Sequence, residues 1–191
     1  MAAGRWGPED LEDEMTKPED SLCERHREFV PLIAAIDRVS GELDQGSALL
    51  IRSEAGGIHE TLSHELLPHA VGEGRTLFPV LRRVTGSTAT TNEMLAEHRE
   101  ISRLTDELER IRLDLSKAGI GAQQESEMRM VLDGLKHAIE THFEQEEQVC
   151  FEVLKTELSP EEAEELYTSL EDATAAIRRT YGCGGGRDFD A

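Results

Sequence analysis

Apolar residues recur every three or four positions along most of this chain, and that spacing restricts it to helical structure. Leu, Glu, Ala and Arg fill these segments, while the valine-rich alternating runs typical of strands are absent. A chain of 191 residues is long enough for one domain with a full core. The sequence therefore predicts a single all-α domain.

Four long helices are predicted, joined by short turns. Their expected ranges are about 18–40, 48–84, 90–117 and 123–157. Short turns between long amphipathic helices favour antiparallel neighbours, so we expect an up-down-up-down four-helix bundle. Pro31 should bend the first helix, and Gly56-Gly57 and Pro68 should interrupt or kink the second.

An additional C-terminal helix is predicted after the bundle. Ser159 precedes Pro160, Glu161 and Glu162, a typical start for a helix, and the helical pattern continues to about Thr180. The expected organisation is a disordered segment at 1–17, the bundle at 18–158, the extra helix at 159–181 and a flexible Gly-rich tail at 182–191.

The charge balance narrows the range of partners. Lys and Arg number 20 against 40 Asp and Glu, and the resulting net charge of −20 disfavours nucleic acid and anionic membranes as partners. We see no spanning apolar stretch and no signal peptide, and Cys23, Cys150 and Cys183 form no Cys-x-x-Cys motif. These features predict a cytoplasmic protein with free thiols.

Histidine and glutamate interrupt the apolar stripes at matching places. His69 and Glu73, like His142 and Glu146, are four residues apart and share one helix face. His26 and His98 occupy the stripes of the first and third helices. Counted along antiparallel helices, the depths of all six residues agree within roughly 6 Å, which places them in one layer of the bundle.

Two glutamates in that layer point to a cation site. A buried histidine can simply bond to a backbone carbonyl, but an unpaired buried carboxylate costs several kcal/mol. Since no Lys or Arg occupies the same layer of any stripe, the compensating charge for Glu73 and Glu146 is expected to come from metal. Four histidines and two carboxylates together predict a dinuclear centre.

Imidazole and carboxylate ligands without thiolate suit iron, manganese or zinc, and bridging carboxylates favour a pair of ions, with iron foremost. The near match to a zinc-protease helix at 64–69 has its second histidine one position too late and contains a proline. The Glu-x-x-His pairs of ferritin-like bundles are missing at the right depth. Both of these classes are therefore disfavoured.

The ordered motifs resemble the hemerythrin-like, or HHE cation-binding, family over about residues 20–158. They are His26-Arg-Glu-Phe, His69-Ala-Val-Gly-Glu73, Glu97-His98-Arg-Glu and His142-Phe-Glu-Gln-Glu146. The resemblance implies a bundle around two non-haem irons, oxo- or hydroxo-bridged, that meet dioxygen, peroxide or nitric oxide. Glu73 and Glu146 would bridge the irons, His26 and His69 would bind one, and His98 and His142 the other.

The chain departs from the oxygen-carrying hemerythrins at one position. Those proteins have a further histidine four residues after the one in the third helix, and this chain has Ser102 there. One iron is then short of a protein ligand. Tyr167, on the extra helix, is a further candidate ligand. Glu65 and Glu147 are candidates for handling protons near the site. The remaining histidines fall outside the layer, namely His59, His64 and His137.

Fewer imidazoles leave more exchangeable positions, so we expect turnover of a small molecule rather than oxygen carriage. The leading hypothesis is catalase-like disproportionation of hydrogen peroxide, a two-electron reaction that suits a pair of irons. One alternative is a non-catalytic di-iron protein for sensing or storage of dioxygen, nitric oxide or iron. Another is a metal-free interaction module, which buried Glu73 and Glu146 disfavour. The sequence does not identify a protein partner.

Overall fold

The computed structural model describes residues 24–115 and 120–181, without the side chains of 150–155 and 181. Every regular element in these residues is helical, and none is a strand. The predicted all-α fold is therefore confirmed. The predicted tails at 1–17 and 182–191 lie outside the described residues, as do the side chains of Cys23, Cys150 and Cys183.

Seven α-helices make up the described fold. They are α1 (Val30–Glu42), α2 (Ala48–Thr61), α3 (Leu67–Arg75), α4 (Leu77–Thr85), α5 (Ala89–Asp114), α6 (Ala122–Glu157) and α7 (Pro160–Tyr181). A helical turn at 24–27 precedes α1, and a π-helical turn, Leu62–Leu66, joins α2 to α3. The stretch from α2 to α4 is the second long helix of the sequence prediction, now divided into parts.

These elements form a four-helix bundle with one additional helix. α1 packs on α2, α2 on α5, and α5 on α6, while α6 returns to pack on α1 and closes the bundle. α7 lies outside this ring and packs mainly on α3 and the π-helical turn. The bundle and its extra C-terminal helix thus agree with the sequence prediction.

The apolar stripe predicted for the third bundle helix forms the centre of the core. The seven residues that follow this spacing are all buried, namely Met94, His98, Ile101, Thr105, Leu108, Ile111 and Leu115. Each large apolar side chain removed from water contributes on the order of 1.5–3 kcal/mol. The same stripe therefore stabilises the bundle and carries His98 into its interior.

Prolines explain where the helices are interrupted. Turns at 28–29 separate the first helical turn from α1, which has Pro31 in its first turn. Before Pro68, which has no N–H to donate, the backbone opens into the π-helical turn, and the Leu67 N–H bonds to the Leu62 carbonyl. A further break at Thr76 was not predicted, and it lies three residues before Pro79, whose ring would crowd the Arg75 carbonyl.

Two details of the sequence prediction were wrong. α2 continues through Gly56 and Gly57 without interruption, because Ala55 and Ile58 beside them are buried and hold the helix against the core. Glycine lowers helix propensity by about 1 kcal/mol, and tertiary packing overrides that cost here. α1 also runs through Gly41 to Glu42 instead of ending before it.

The start of α7 has the predicted cap. The Glu162 N–H donates to Ser159 Oγ at 3.2 Å, and the Ser159 N–H donates to Glu162 Oε2 at 2.9 Å. This reciprocal pair satisfies two N–H groups that a helix start leaves without partners. Within 24–115 and 120–181, no helix has the length and apolar character needed to span a bilayer.

Candidate metal centre

Six polar side chains meet inside the bundle, contributed by four separate helical segments. His26 comes from the turn before α1, His69 and Glu73 from α3, His98 from α5, and His142 and Glu146 from α6. All six are buried, and both glutamates are 0% exposed. The structure therefore brings together every residue of the predicted layer, with Tyr167 considered separately below.

One half of the cluster contains His26, His69 and Glu73. The His69 Nε2 atom lies 2.6 Å from Glu73 Oε1, and the rings of His26 and His69 stand edge to face with their centroids 5.8 Å apart. One nitrogen or oxygen of each residue lies within 4.8 Å of the others. Three such atoms around a common point can hold one cation.

The other half contains His98, His142 and again Glu73. His98 Nε2 lies 3.3 Å from Glu73 Oε2, His142 Nε2 lies 3.8 Å from the same oxygen, and the two ring nitrogens are 2.9 Å apart. These atoms form a second group within 4.8 Å. Glu73 therefore offers one oxygen to each half.

Glu146 also contacts both halves. Its Oε2 atom lies 3.3 Å from His26 Nε2 and 3.5 Å from His142 Nε2. A carboxylate placed between one histidine of each group can neutralise charge on either side. Glu73 and Glu146 are thus the two groups that link the halves.

Two further carboxylates hold the outer nitrogens of the histidines. His26 Nδ1 lies 3.0 Å from Glu147 Oε1, and His142 Nδ1 lies 3.0 Å from Glu97 Oε2. These contacts leave the Nε2 atoms of His26 and His142 pointing into the cluster. Metal-binding histidines have this arrangement, since the second ring nitrogen donates to a carboxylate that fixes tautomer and orientation.

Glu97 is a site residue that sequence reasoning missed. It lies next to His98 in the chain but acts on His142 of the neighbouring helix. Glu147 repeats the pattern, because it follows Glu146 and bonds to His26. The signal for both is a carboxylate directly beside a residue of the buried layer.

The cluster satisfies the chemical requirements of a cation site. The described ion pairs of Glu73 and Glu146 are all with histidines. Both oxygens of each carboxylate, His26 Nε2 and His69 Nε2 are buried without a hydrogen bond of ordinary geometry. Buried polar atoms normally have hydrogen-bond partners. A group of such atoms that lack these partners and lie close together is the arrangement expected of metal ligands.

Electrostatics within the cluster shift two histidine pKa values upward. Burial disfavours the charged imidazolium of His26, but close contacts with Glu146 and Glu147 and nearby negative charge outweigh it and raise its pKa to about 9. For His142, burial is likewise outweighed by close contacts with Glu73 and Glu97, and the pKa rises to about 10. Protons on these rings compensate buried carboxylate charge as a metal would.

The pKa shifts of Glu73 and His98 agree with this balance of charge. Burial raises the pKa of Glu73, but the charge of His69 and close contacts with the surrounding histidines outweigh it and hold that pKa well below its usual range. Burial and the nearby His142 lower the pKa of His98. A neutral His98 beside a charged His142 avoids two like charges at 2.9 Å.

Aromatic rings enclose the cluster. Phe143 stacks on His26 with centroids 4.0 Å apart, and Phe78 lies nearly parallel to His98 at 5.4 Å. These contacts restrict rotation of the imidazoles. They also exclude water, which strengthens the electrostatic interactions inside the cluster.

Several other sequence candidates lie away from the cluster. His64 and His137 are exposed, as expected, and His59 bonds to Ser63 at 3.2 Å. Glu65 contacts Arg178 of α7 and not the buried layer. Ser102 is 9% exposed. Tyr167 is partly buried against the core, and the role of Tyr167 as an additional ligand stays a prediction.

A family model for the hemerythrin HHE cation binding domain matches residues 18–154. The chain belongs to the hemerythrin HHE cation-binding family. Its two buried His/Glu groups lie inside this domain, so the family resemblance and the geometry agree on one region. The match ends before α7, at 160–181.

Searches of curated proteins and of solved structures found no match to this hemerythrin-family chain. The assignment of the metal and the reaction therefore depends on the chemistry of the cluster.

We predict that protein stripped of metal by a chelator becomes less stable between about pH 6.5 and about pH 10. Its folded state holds protons on His26 and His142 that the unfolded chain releases near pH 6.5, so their stabilisation is complete below that pH and is lost as pH rises through 9 and 10. Urea unfolding at a series of pH values should show the free energy of unfolding falling across this range.

Metal-loaded protein is the control for this titration. Metal needs neutral imidazoles, so the added stability from metal should increase over the same pH range. Stability that stays constant or rises with pH in the stripped protein contradicts the charge balance described above.

We also predict that Glu97→Ala weakens metal binding by about 10- to 100-fold, because His142 loses the acceptor that orients it. Glu93→Ala removes the same charge from an exposed position of α5 and serves as the control. Competition with a chromogenic chelator measures both variants. Equal affinities for the two would show that Glu97 does not orient His142.

Proposed function

We propose that this chain is a di-iron protein that disproportionates hydrogen peroxide. The observation that carries the proposal is the position of Glu73, fully buried and shared by two histidine groups. A single-ion site has no need for two such groups. The second shared carboxylate, Glu146, supports the same interpretation.

The donor set favours iron. Four imidazoles and two carboxylates, with no sulfur ligand among the described side chains, suit iron, manganese and zinc. His26 and His69 would hold one ion, His98 and His142 the other, and Glu73 and Glu146 would bridge them. When bound, an iron pair supplies the two-electron exchange that peroxide disproportionation requires.

Ser102 supports turnover over oxygen carriage. It stands one helical turn beyond His98, where oxygen-carrying hemerythrins place another histidine. Its short side chain is nearly buried and leaves each half of the cluster with two histidines. A ligand set with fewer imidazoles leaves more room for exchangeable small molecules.

The balance of the reaction defines what the protein must do. One peroxide takes up two electrons and two protons and gives two waters, while a second releases two electrons and two protons and gives dioxygen. Protons released when one peroxide is oxidised are consumed when the other is reduced. We assign Glu97 Oε2 and Glu147 Oε1 to hold these protons between the two half-reactions, since their side chains are 20% and 29% exposed and each contacts a histidine of the cluster.

The substrate class follows from the enclosure of the site. Four helices and two phenylalanine rings surround the cluster, which suits a molecule as small as peroxide, dioxygen or nitric oxide. The net charge of −20 disfavours nucleic acid and anionic membrane partners. We place the reaction in the cytoplasm on the basis of composition and cysteine pattern.

We predict two irons per chain and oxygen evolution when peroxide is added to loaded protein, with one dioxygen formed for every two peroxides. Glu73→Gln removes the shared charge and should abolish the paired site and the activity. Glu60→Gln makes the same change at an exposed position of the second long segment and should leave both unchanged. Metal analysis and an oxygen electrode measure the outcome.

The outcomes separate the possible functions. Two bound irons without oxygen evolution above that of free iron would favour the non-catalytic sensor or store. A chain that binds no iron and shows no near-ultraviolet charge-transfer bands would leave the di-iron proposal without support.

A further inference from the structure

We propose that α7 positions the metal ligands of α3 through a direct contact between Thr174 and Gly72. This inference rests on the proposed metal centre and extends it to a helix beyond the family match at 18–154. Thr174 touches no ligand in the described contacts, so its role is that of a positioning residue.

α3 is set apart from the helices on either side of it. The π-helical turn Leu62–Leu66 precedes it, and a break at Thr76 follows it. This nine-residue helix carries both His69 and Glu73. Because its ends are not continuous with regular helix, contacts along its sides have more influence on its position.

α7 comes close to the backbone of α3 at Gly72. A Cβ atom added at Gly72 would lie 2.5 Å from Thr174 Oγ1 and 3.2 Å from Leu170 Cδ1. Thr174 is 1% exposed, so it has little space into which to retreat. Gly72 directly precedes Glu73, and the close approach therefore lies beside the shared carboxylate.

A second attachment fixes α7 along the same segment. Arg178 Nη2 lies 2.5 Å from Glu65 Oε2 in the π-helical turn. Arg178 is one helical turn beyond Thr174, so the two contacts together restrict sliding as well as separation. The buried residues of α7 that complete this face are Ala163, Leu166, Leu170 and Ile177.

Metal coordination tolerates only small errors in the positions of its ligands. Metal–ligand distances are set to within about 0.2 Å, so a small displacement of α3 changes how well His69 and Glu73 fit the ions. Glu73 serves both histidine groups, and its displacement would affect both ions. α7 thereby becomes part of the support of the site.

The test is the variant Gly72→Ala in the full chain. The added methyl group should lower the affinity for ferrous iron, measured anaerobically by chelator competition, by about 10-fold or more. Gly72→Ala combined with Thr174→Ala removes the clashing oxygen and should restore most of the affinity. Gly57→Ala is the matched control, because a Cβ there has nothing within 4 Å.

Unfolding of the metal-free variants by urea, measured in parallel, separates positioning from folding. Rescue of iron affinity and of the near-ultraviolet spectrum by the double variant supports positioning. If Gly72→Ala loses stability but keeps wild-type iron affinity and spectrum, α7 only stabilises the fold and the inference is wrong. If wild-type protein binds no iron, the proposed function fails first, and the two failures are thus distinguishable.

Arg178→Gln provides a second variant in case Gly72→Ala does not fold. It loosens the attachment to Glu65 without adding volume, so a severalfold loss of ferrous iron affinity is expected. Unchanged affinity and spectrum in a folded Arg178→Gln protein would count against positioning by α7.

Discussion

Two carboxylates lie fully buried between the apolar faces of four helical segments, and their negative charge has to be compensated inside the core. Among the described contacts, the ion-pair partners of Glu73 and Glu146 are all histidines, and each glutamate contacts both halves of the cluster. Isolated buried carboxylates would cost several kcal/mol. The four histidines that converge on them therefore offset a large cost of closing the bundle.

Further contacts support the cluster from the surrounding structure. Glu97 and Glu147 orient His142 and His26 from the partly exposed edge of the cluster, while aromatic rings restrict the imidazoles from within. α7 contacts the ligand helix α3 from outside the bundle. The side chains of the cluster are thus held by carboxylates at its edge, by aromatic rings beside the imidazoles and, through α3, by the packing of α7. A metal site whose geometry must be held to tenths of an ångström is expected to have such neighbours.

Much of this arrangement is visible in the sequence because helical periodicity is a local property. The stripe through His98 predicts burial at each of its positions, and depth along antiparallel helices predicts which polar residues meet. The reach of Glu97 to His142 and the approach of Thr174 to Gly72 depend on contacts between helices. No periodic pattern records such contacts, and they became apparent only in the folded chain.

The most direct test of the central claim is anomalous X-ray diffraction from crystals of iron-loaded protein. The account predicts two iron positions per chain, one beside His26 and His69 and the other beside His98 and His142, with Glu73 as a ligand of both. A single iron position, or irons bound away from Glu73 and Glu146, would contradict it.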